Sequence, residues 1–351
     1  MKQPGEKVFH VRAEEANGTL AAALRRWLPG LSWGEANRLL ASRKVQVNGN
    51  LALDGGRRLK PAEVVKLLAH SAAKPPEETD IVIRHLDPHL VVVEKPAGMT
   101  SLRHYEERHW NARRKQVQPT LDELLPRVVA KHAARAKGGA AHRKPRPSAP
   151  AARRPSLEPS EAHAKGGLVP LRPVHRIDRE TSGLMVFART IAAERGLGEQ
   201  FREHTILRSY LAIAHGDVRE QTIRHRLVRD RGDGRRGIAQ QGQAGKSAVT
   251  HVKPLERLRG YTLVQCRLET GRTHQIRLHL AAEGHPLCGE KIYQQPRFGK
   301  ATPDHSGAPR LALHAAELGF THPVTGEKIH YQMPLPADLQ ELLTRLRGSS
   351  R

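Results

Sequence analysis

Leu90-Val91-Val92-Val93 is an unbroken apolar run dominated by β-branched residues, and Met185-Val186-Phe187-Ala188 is a second run of equal length. Runs this short, with no polar alternation, fit strands covered on both faces, so the chain has to build a sheet with material packed above and below it. Ile81-Val82-Ile83-Arg84-His85 reads as an edge of the same domain. Ile206 to Ile213 alternates, which puts Leu211 and Ile213 on one face and Arg208 and Tyr210 on the other. Further on, Gly271 ends a strand, Thr273 is placed to cap a helix with Ile276 and Leu280 on its core face, and Gly284 stops it. Leu311 to Phe320 reads as a last strand, followed by a tight turn over Thr321 to Glu327.

Residues 18–70 carry a separate periodicity. Leu20, Leu24 and Leu28 recur at helical spacing, Pro29-Gly30 turns the chain, and Ser32 can cap a second helix holding Ala36, Leu39 and Leu40. Val45-Gln46-Val47 then reads as a strand running into an Asn48-Gly49 turn, and Glu63 to Leu68 as another strand. The stretch 71–79 is Ala, Lys and Pro-rich and reads as a linker to a second domain over 80–345. Within that domain Leu121, Leu124, Leu125 and Val128 predict a short helix, while the rest of an insertion at about 103–167 is basic and, from Lys131 on, lacks any aromatic side chain. Such a composition cannot supply a core, and disorder is expected.

A formal net charge of +24 and a pI near 10.8 exceed what solubility requires and point to a polyanionic partner, with RNA, DNA and anionic membrane all open on charge alone. The first residues lack an apolar core region, and no stretch approaches the roughly 18 apolar residues of a membrane span. The expected location is therefore the cytoplasm. Cys266 and Cys288 are too few for a disulfide framework or a zinc site. His274, His279, His285 and His314 lack metal-binding spacing, so no metal is expected.

The chemistry concentrates in His175-Arg176-Ile177-Asp178-Arg179-Glu180-Thr181-Ser182-Gly183-Leu184, a polar, Gly-containing loop that opens onto the Met185 strand. A lone carboxylate among arginines in such a loop makes Asp178 a candidate nucleophile. The His-Arg-x-Asp fragment also occurs in kinase catalytic loops, but the accompanying Asn, Gly-rich loop and Asp-Phe-Gly are missing. The whole loop resembles the signature His-Arg-Leu-Asp-x-x-Thr-Ser-Gly-Leu of the RluA-type RNA pseudouridine synthases, with Ile177 in place of Leu, a volume-conserving swap.

The resemblance extends further. Lys95-Pro96-Ala97-Gly98 resembles that family's first motif, read mainly as architecture; Arg208-Ser209-Tyr210-Leu211-Ala212 resembles its second, with Arg for Lys. Thr270-Gly271-Arg272-Thr273-His274-Gln275-Ile276-Arg277-Leu278-His279 matches its third at every fixed position. The resemblance implies an α+β fold, a mixed, mostly antiparallel sheet with flanking helices and a cleft across it. It implies that Asp178 attacks a uridine, whose base is detached, turned and rejoined through carbon. Tyr210 is the ring that stacks on the base, and Arg277 the arginine paired with Asp178. Arg277 falls early in a helix, where a guanidinium and the helix N-terminus together keep a nearby carboxylate ionised. Arg176 is expected to fill the space of the extruded base or to hold the displaced backbone.

Residues 18–70 look like an S4 domain, whose basic groups meet phosphates; Arg25, Arg26, Arg38, Arg43 and Lys44 are the candidates. The implied partner is RNA, ribosomal in preference to transfer RNA, with no membrane, no small-molecule cofactor and the chain a monomer. Two competing readings are a non-catalytic ribosome-assembly protein and a metal-dependent or phosphoryl-transfer enzyme. A non-catalytic relative is expected to have lost Asp178, Tyr210 or Arg277, and all three stand.

Overall fold

In the computed structural model the described residues are 7–140, 168–230, 236–294 and 303–348, less 49, 62, 70, 72–73, 104–106, 108, 110–114, 116–117 and 241. The chain divides into two units, Met1–Pro75 with His104–Pro119, and Pro76–Arg103 with Thr120–Arg351.

In the first unit the helices Leu20–Trp27 and Trp33–Ala41 are capped by Thr19 and Ser32, the latter in a reciprocal capping box with Glu35. A four-stranded sheet accompanies them: β1 (Lys7–His10), β2 (Val45–Val47), β3 (Asn50–Leu51) and β4 (Val64–Leu67), in the antiparallel order β1-β4-β2-β3. Strand β1 precedes the expected start at residue 18. Its only periodic signal is four residues long, with Val8 exposed, so nothing in the pattern announces it.

The second unit contains the expected mixed sheet. Its strands are β5 (Val82–Leu86), β6 (Leu90–Lys95), β7 (Arg172–Pro173), β8 (Ser182–Ala188), β9 (Leu207–His215), β10 (Gln221–Val228), β11 (Gly237–Ile238), β12 (Lys246–Leu258), β13 (Tyr261–Leu268), β14 (Leu313–Thr321) and β15 (Lys328–Gln332). The path runs β11-β10-β12-β13-β9-β14-β8-β6-β5, with β15 on β14 and β7 on β8. Every pairing is antiparallel except β8 with β14, where Gly183 faces Ala315.

The two apolar runs are covered on both sides, as their lack of alternation requires. Val91, Val93, Met185 and Phe187 enter one cluster with Leu121, Leu125, Ile276 and Leu280. Leu90, Val92, Leu184 and Val186 enter another with Ala193 and Leu197 of the helix Ile191–Arg202. The helix Ala337–Gly348 packs Leu339, Leu342 and Leu346 against Ile213 and Leu263. Among the described residues no helix is long and apolar enough to cross a membrane.

The helix expected at Leu121 to Val128 is present and continues past Lys131, into the stretch where disorder is expected. A helix runs from Leu121 to Ala140, anchored because Leu121, Leu125 and Val129 enter the core and buried Arg103 grips Glu123 at 3.0 and 2.6 Å. The remaining stretch, 141–167, lies outside the described residues.

Three histidines, His279 and His314 buried and His175 half-buried, have ring nitrogens tied up or unsolvated. Burial, with Arg208 nearby, pushes His175 down to about 3; burial and His225 push His279 to about 3; burial and Arg310 push His314 to about 4. These rings are neutral in the fold, whereas the unfolded chain takes up protons below about 6.5. Stability linked to them is therefore present above pH 6.5 and is lost as pH falls from there towards 4, each ring costing roughly 1.4 kcal/mol for every pH unit of the fall. Calorimetry is expected to show Tm falling between pH 6.5 and 4, with a shallower slope for His279→Leu, whose ring makes no hydrogen bond to any described residue. Equal slopes for the variant and the parent protein would count against this.

Candidate active site

Between β7 and β8 the chain forms the polar loop that carries Asp178, and the architecture immobilises it from several directions. Thr181 N–H donates to the Asp178 carbonyl at 3.2 Å, and Gly98 N–H to the Arg179 carbonyl at 2.8 Å. Ser101 Oγ donates to the Ile177 carbonyl at 2.7 Å. Fully buried Lys95 donates to the carbonyls of Pro96, Met99 and Arg179 at 2.9, 2.7 and 3.1 Å. Its burial pulls the amine down to about 7, against the pull of Glu180 and Asp178. The Lys95 stretch thus serves as a clasp on the Asp178 loop. Lys95→Met removes all three of these hydrogen bonds, and denaturant titration is expected to show a loss of about 3 kcal/mol; a loss below about 1 kcal/mol, the worth of a single such bond, would remove the clasp.

His175 anchors the loop's entry: its Nε2 accepts from Val186 N–H at 3.0 Å while the ring stacks on Phe201 at 4.7 Å. Ser182 at the exit meets His314 Nδ1 at 2.9 Å and accepts from Arg310 at 3.1 Å.

Asp178 opens onto a cavity of about 610 Å³ that Arg176, Tyr210 and Arg277 also line. The structure therefore brings together all four residues expected there from the sequence. Arg202, Arg208 and Arg272 line it too, and Asp178 is the single carboxylate among the described lining residues. Tyr210 reaches it from β9, paired with Cys266 and Ala315, its phenol pushed up to about 12 by burial and by the Asp178 charge. Arg176 is exposed beside the nucleophile candidate. Arg208, in the place of a motif lysine, donates to the Glu269 carbonyl at 3.0 Å and lies over Phe201 at 5.5 Å.

Arg277 departs from the expectation in one respect. Its Nη1 stands 3.6 Å from Asp178 Oδ2, too far for a hydrogen bond, while Nε and Nη2 both reach Glu290 at 2.7 Å. Glu290 is invisible in the sequence, because no periodicity or short spacing links it to Arg277. The cap expected at Thr273 is corrected as well. The helix Gln275–Ala282 is capped by His274, in a left-handed conformation with φ 58° and no side-chain cap bond. Gln275 Oε1 accepts instead from Arg272 N–H at 3.0 Å and from Thr270 Oγ1 at 2.8 Å, which fixes the turn. His274 places Nε2 3.9 Å from Asp178 Oδ1, and its Nδ1 meets Tyr293 Oη at 2.6 Å. Burial lowers the His274 pKa from its ordinary value, against the pull of Asp178. Sequence reasoning gives neither His274 nor Tyr293 a role.

In the first unit Arg25, Arg26 and Arg38 are exposed on the helices, and Arg43 and Lys44 are half-buried in the turn before β2. Arg25 is committed in part, donating to the Leu31 carbonyl at 3.0 Å and lying over Trp33 at 4.6 Å. Arg38 lies 3.9 Å from Glu35. No cluster of three or more His, Cys, Asp or Glu side chains suited to a metal occurs among the described residues.

Taken together, the cleft is a cationic trough with an aromatic floor and one carboxylate, unmatched among the described lining residues by any acid partner that could serve two-carboxylate hydrolysis. It suits a flat ring attached to an anionic backbone, attacked by a single oxygen.

Comparison with known proteins bears on this geometry. The family model described as RNA pseudouridylate synthase matches residues 89–282. A protein of Neisseria meningitidis named ribosomal large subunit pseudouridine synthase D is 45% identical over 180 residues, which span 50% of this chain and 48% of that protein. One of the same name from Zymomonas mobilis is 31% identical over 341 residues, 95% of each. Among solved structures, human RNA pseudouridylate synthase domain containing 4 superposes with a TM-score of 0.53 at 21% identity, over 76% of this chain and 93% of that one. This last likeness concerns the fold.

Proposed function

The chain belongs to the RNA pseudouridylate synthase family, and from that premise we propose that it isomerises uridine to pseudouridine in RNA with Asp178 as the nucleophile. The observation that carries the reading is the convergence of Asp178, Tyr210, Arg277 and Arg176 on one arginine-lined cavity. In the reaction the N1–C1′ bond breaks and a C5–C1′ bond forms; the C5 proton leaves and N1 gains one, so no oxidant or cofactor is consumed. A paired uridine has to be extruded first, at a few kcal/mol of unstacking. Tyr210 stacks on the freed base, which is worth about 1–3 kcal/mol. Arg176, exposed at the cavity, holds the displaced backbone or the vacated space.

The substrate class is supported by the relatives named for the large ribosomal subunit and by the net charge of +24. Large-subunit ribosomal RNA in the cytoplasm is the proposed target, ahead of transfer RNA. The first unit, read as an S4-like domain, contributes phosphate contacts through Arg25, Arg26, Arg38, Arg43 and Lys44. Incubating the protein with large-subunit ribosomal RNA carrying C5-tritiated uridine is expected to release tritium, without added metal. Release from transfer RNA alone would move the substrate; release from neither would end the enzymatic reading.

A further inference from the structure

Glu290 lines no part of the cavity, yet only 1% of its side chain is exposed. Its Oε2 accepts from Arg277 Nε at 2.7 Å. Its Oε1 accepts from Arg277 Nη2 at 2.7 Å and from the N–H groups of Lys291, Ile292 and Tyr293 at 2.9, 2.8 and 3.3 Å. The loop behind it is fastened in turn. Gly289 N–H donates to Asp304 Oδ2 at 2.6 Å, and the backbone N–H groups of Ile213, Ala312 and Cys288 donate in turn to the carbonyls of Ala312, Cys288 and Ile213. The Tyr293 ring lies 5.0 Å under the guanidinium, so Arg277 is held at its edge and on its face.

One nitrogen of the fork remains for Asp178, and it stands 3.6 Å from Oδ2, beyond hydrogen-bond distance. A carboxylate gripped by a bidentate arginine is ionised, but its lone pairs are engaged. A nucleophile needs the charge and also a free oxygen. We propose that Glu290 is a positioning residue, which holds the Arg277 guanidinium 3.6 Å from the Asp178 carboxylate, near it but not hydrogen-bonded to the oxygen that attacks. The role rests on Asp178 being the nucleophile. It accounts for two features at once, the fork turned away from the cavity and a buried acid placed where it also weakens the arginine's field. The surrounding charges agree: against burial, Glu290 first and then Asp178 and Tyr293 raise the Arg277 pKa, and Glu290 itself is held low against burial by Arg277 and backbone N–H groups.

The test is Glu290→Gln, which keeps the shape and removes the charge, beside Glu290→Asp, which keeps the charge. Tritium release from the ribosomal RNA substrate is expected to fall at least about 30-fold in kcat for the glutamine variant, with KM within about twofold of the parent and Tm close to it. Glu290→Asp is expected to recover most of the rate. A crystal structure of Glu290→Gln is expected to show Arg277 within about 3.0 Å, hydrogen-bond distance, of Asp178. Unchanged kcat, or Arg277 unmoved, would overturn the role while leaving the enzymatic reading intact. So would a fall in rate that tracks a fall in Tm and is not restored by aspartate. No release from the parent protein on any RNA would overturn both.

Discussion

Asp178→Asn is expected to abolish tritium release, by on the order of 10⁴-fold or more, while RNA affinity stays within about threefold of the parent protein. The two outcomes separate because they depend on different parts of the molecule. Asparagine keeps the size of the side chain, and the contacts that hold the loop, from Thr181, Ser101, Lys95 and Gly98, go to backbone atoms or start from them. The amide has no anionic oxygen to attack with. Affinity comes mainly from phosphate contacts, which the substitution leaves in place. The assays are single-turnover tritium release and filter binding at fixed salt. Residual turnover above about 1% of the parent would reassign the nucleophile, whereas lost binding would mean that Asp178 mainly shapes the RNA site.

Gly183→Ala is expected to destabilise the second unit by more than about 4 kcal/mol, enough to prevent accumulation of folded protein. Gly183 has φ +117°, a conformation that side chains rarely adopt, and an added Cβ would lie 2.3 Å from the carbonyl oxygen and 2.7 Å from the nitrogen of Ala315. Those atoms belong to β14, the parallel neighbour of β8, and strand backbone in a sheet centre cannot step aside. Gly260→Ala is the contrast: φ is +79° but nothing lies within 4 Å of the added carbon, so only conformational strain of about 1 kcal/mol remains. Thermal melts and soluble yield compare the two. Similar stabilities would show that the β8–β14 seam is looser than its geometry.

Much of this was legible in the chain because the signals were local. Short apolar runs announced strands buried on both faces, Ser32 announced a helix start, and three motifs placed Asp178, Tyr210 and Arg277 in one cleft. What escaped was non-local. Arg277 and Glu290 are 13 residues apart across a helix end and a loop, so no periodicity joins them. The αL cap at His274 stands in place of the expected threonine and makes no side-chain cap bond, while Gln275 fixes the preceding turn through Arg272 N–H and Thr270 Oγ1. The helix Leu121–Ala140 outran its apolar stripe, since its first half meets the core and composition alone made the remainder look unstructured.

The parallel junction of β8 and β14 sets an order of events during synthesis. The Asp178 loop leads into β8, and β8 gains its neighbour on that side only when the segment near His314 and Ala315 has been made, 132 residues beyond Ser182. Pairings across so long a stretch of chain form later than local hairpins such as β5–β6 and β12–β13. A chain that has not yet made β14 therefore lacks both the strand and the His314 side chain that fasten the exit of the Asp178 loop.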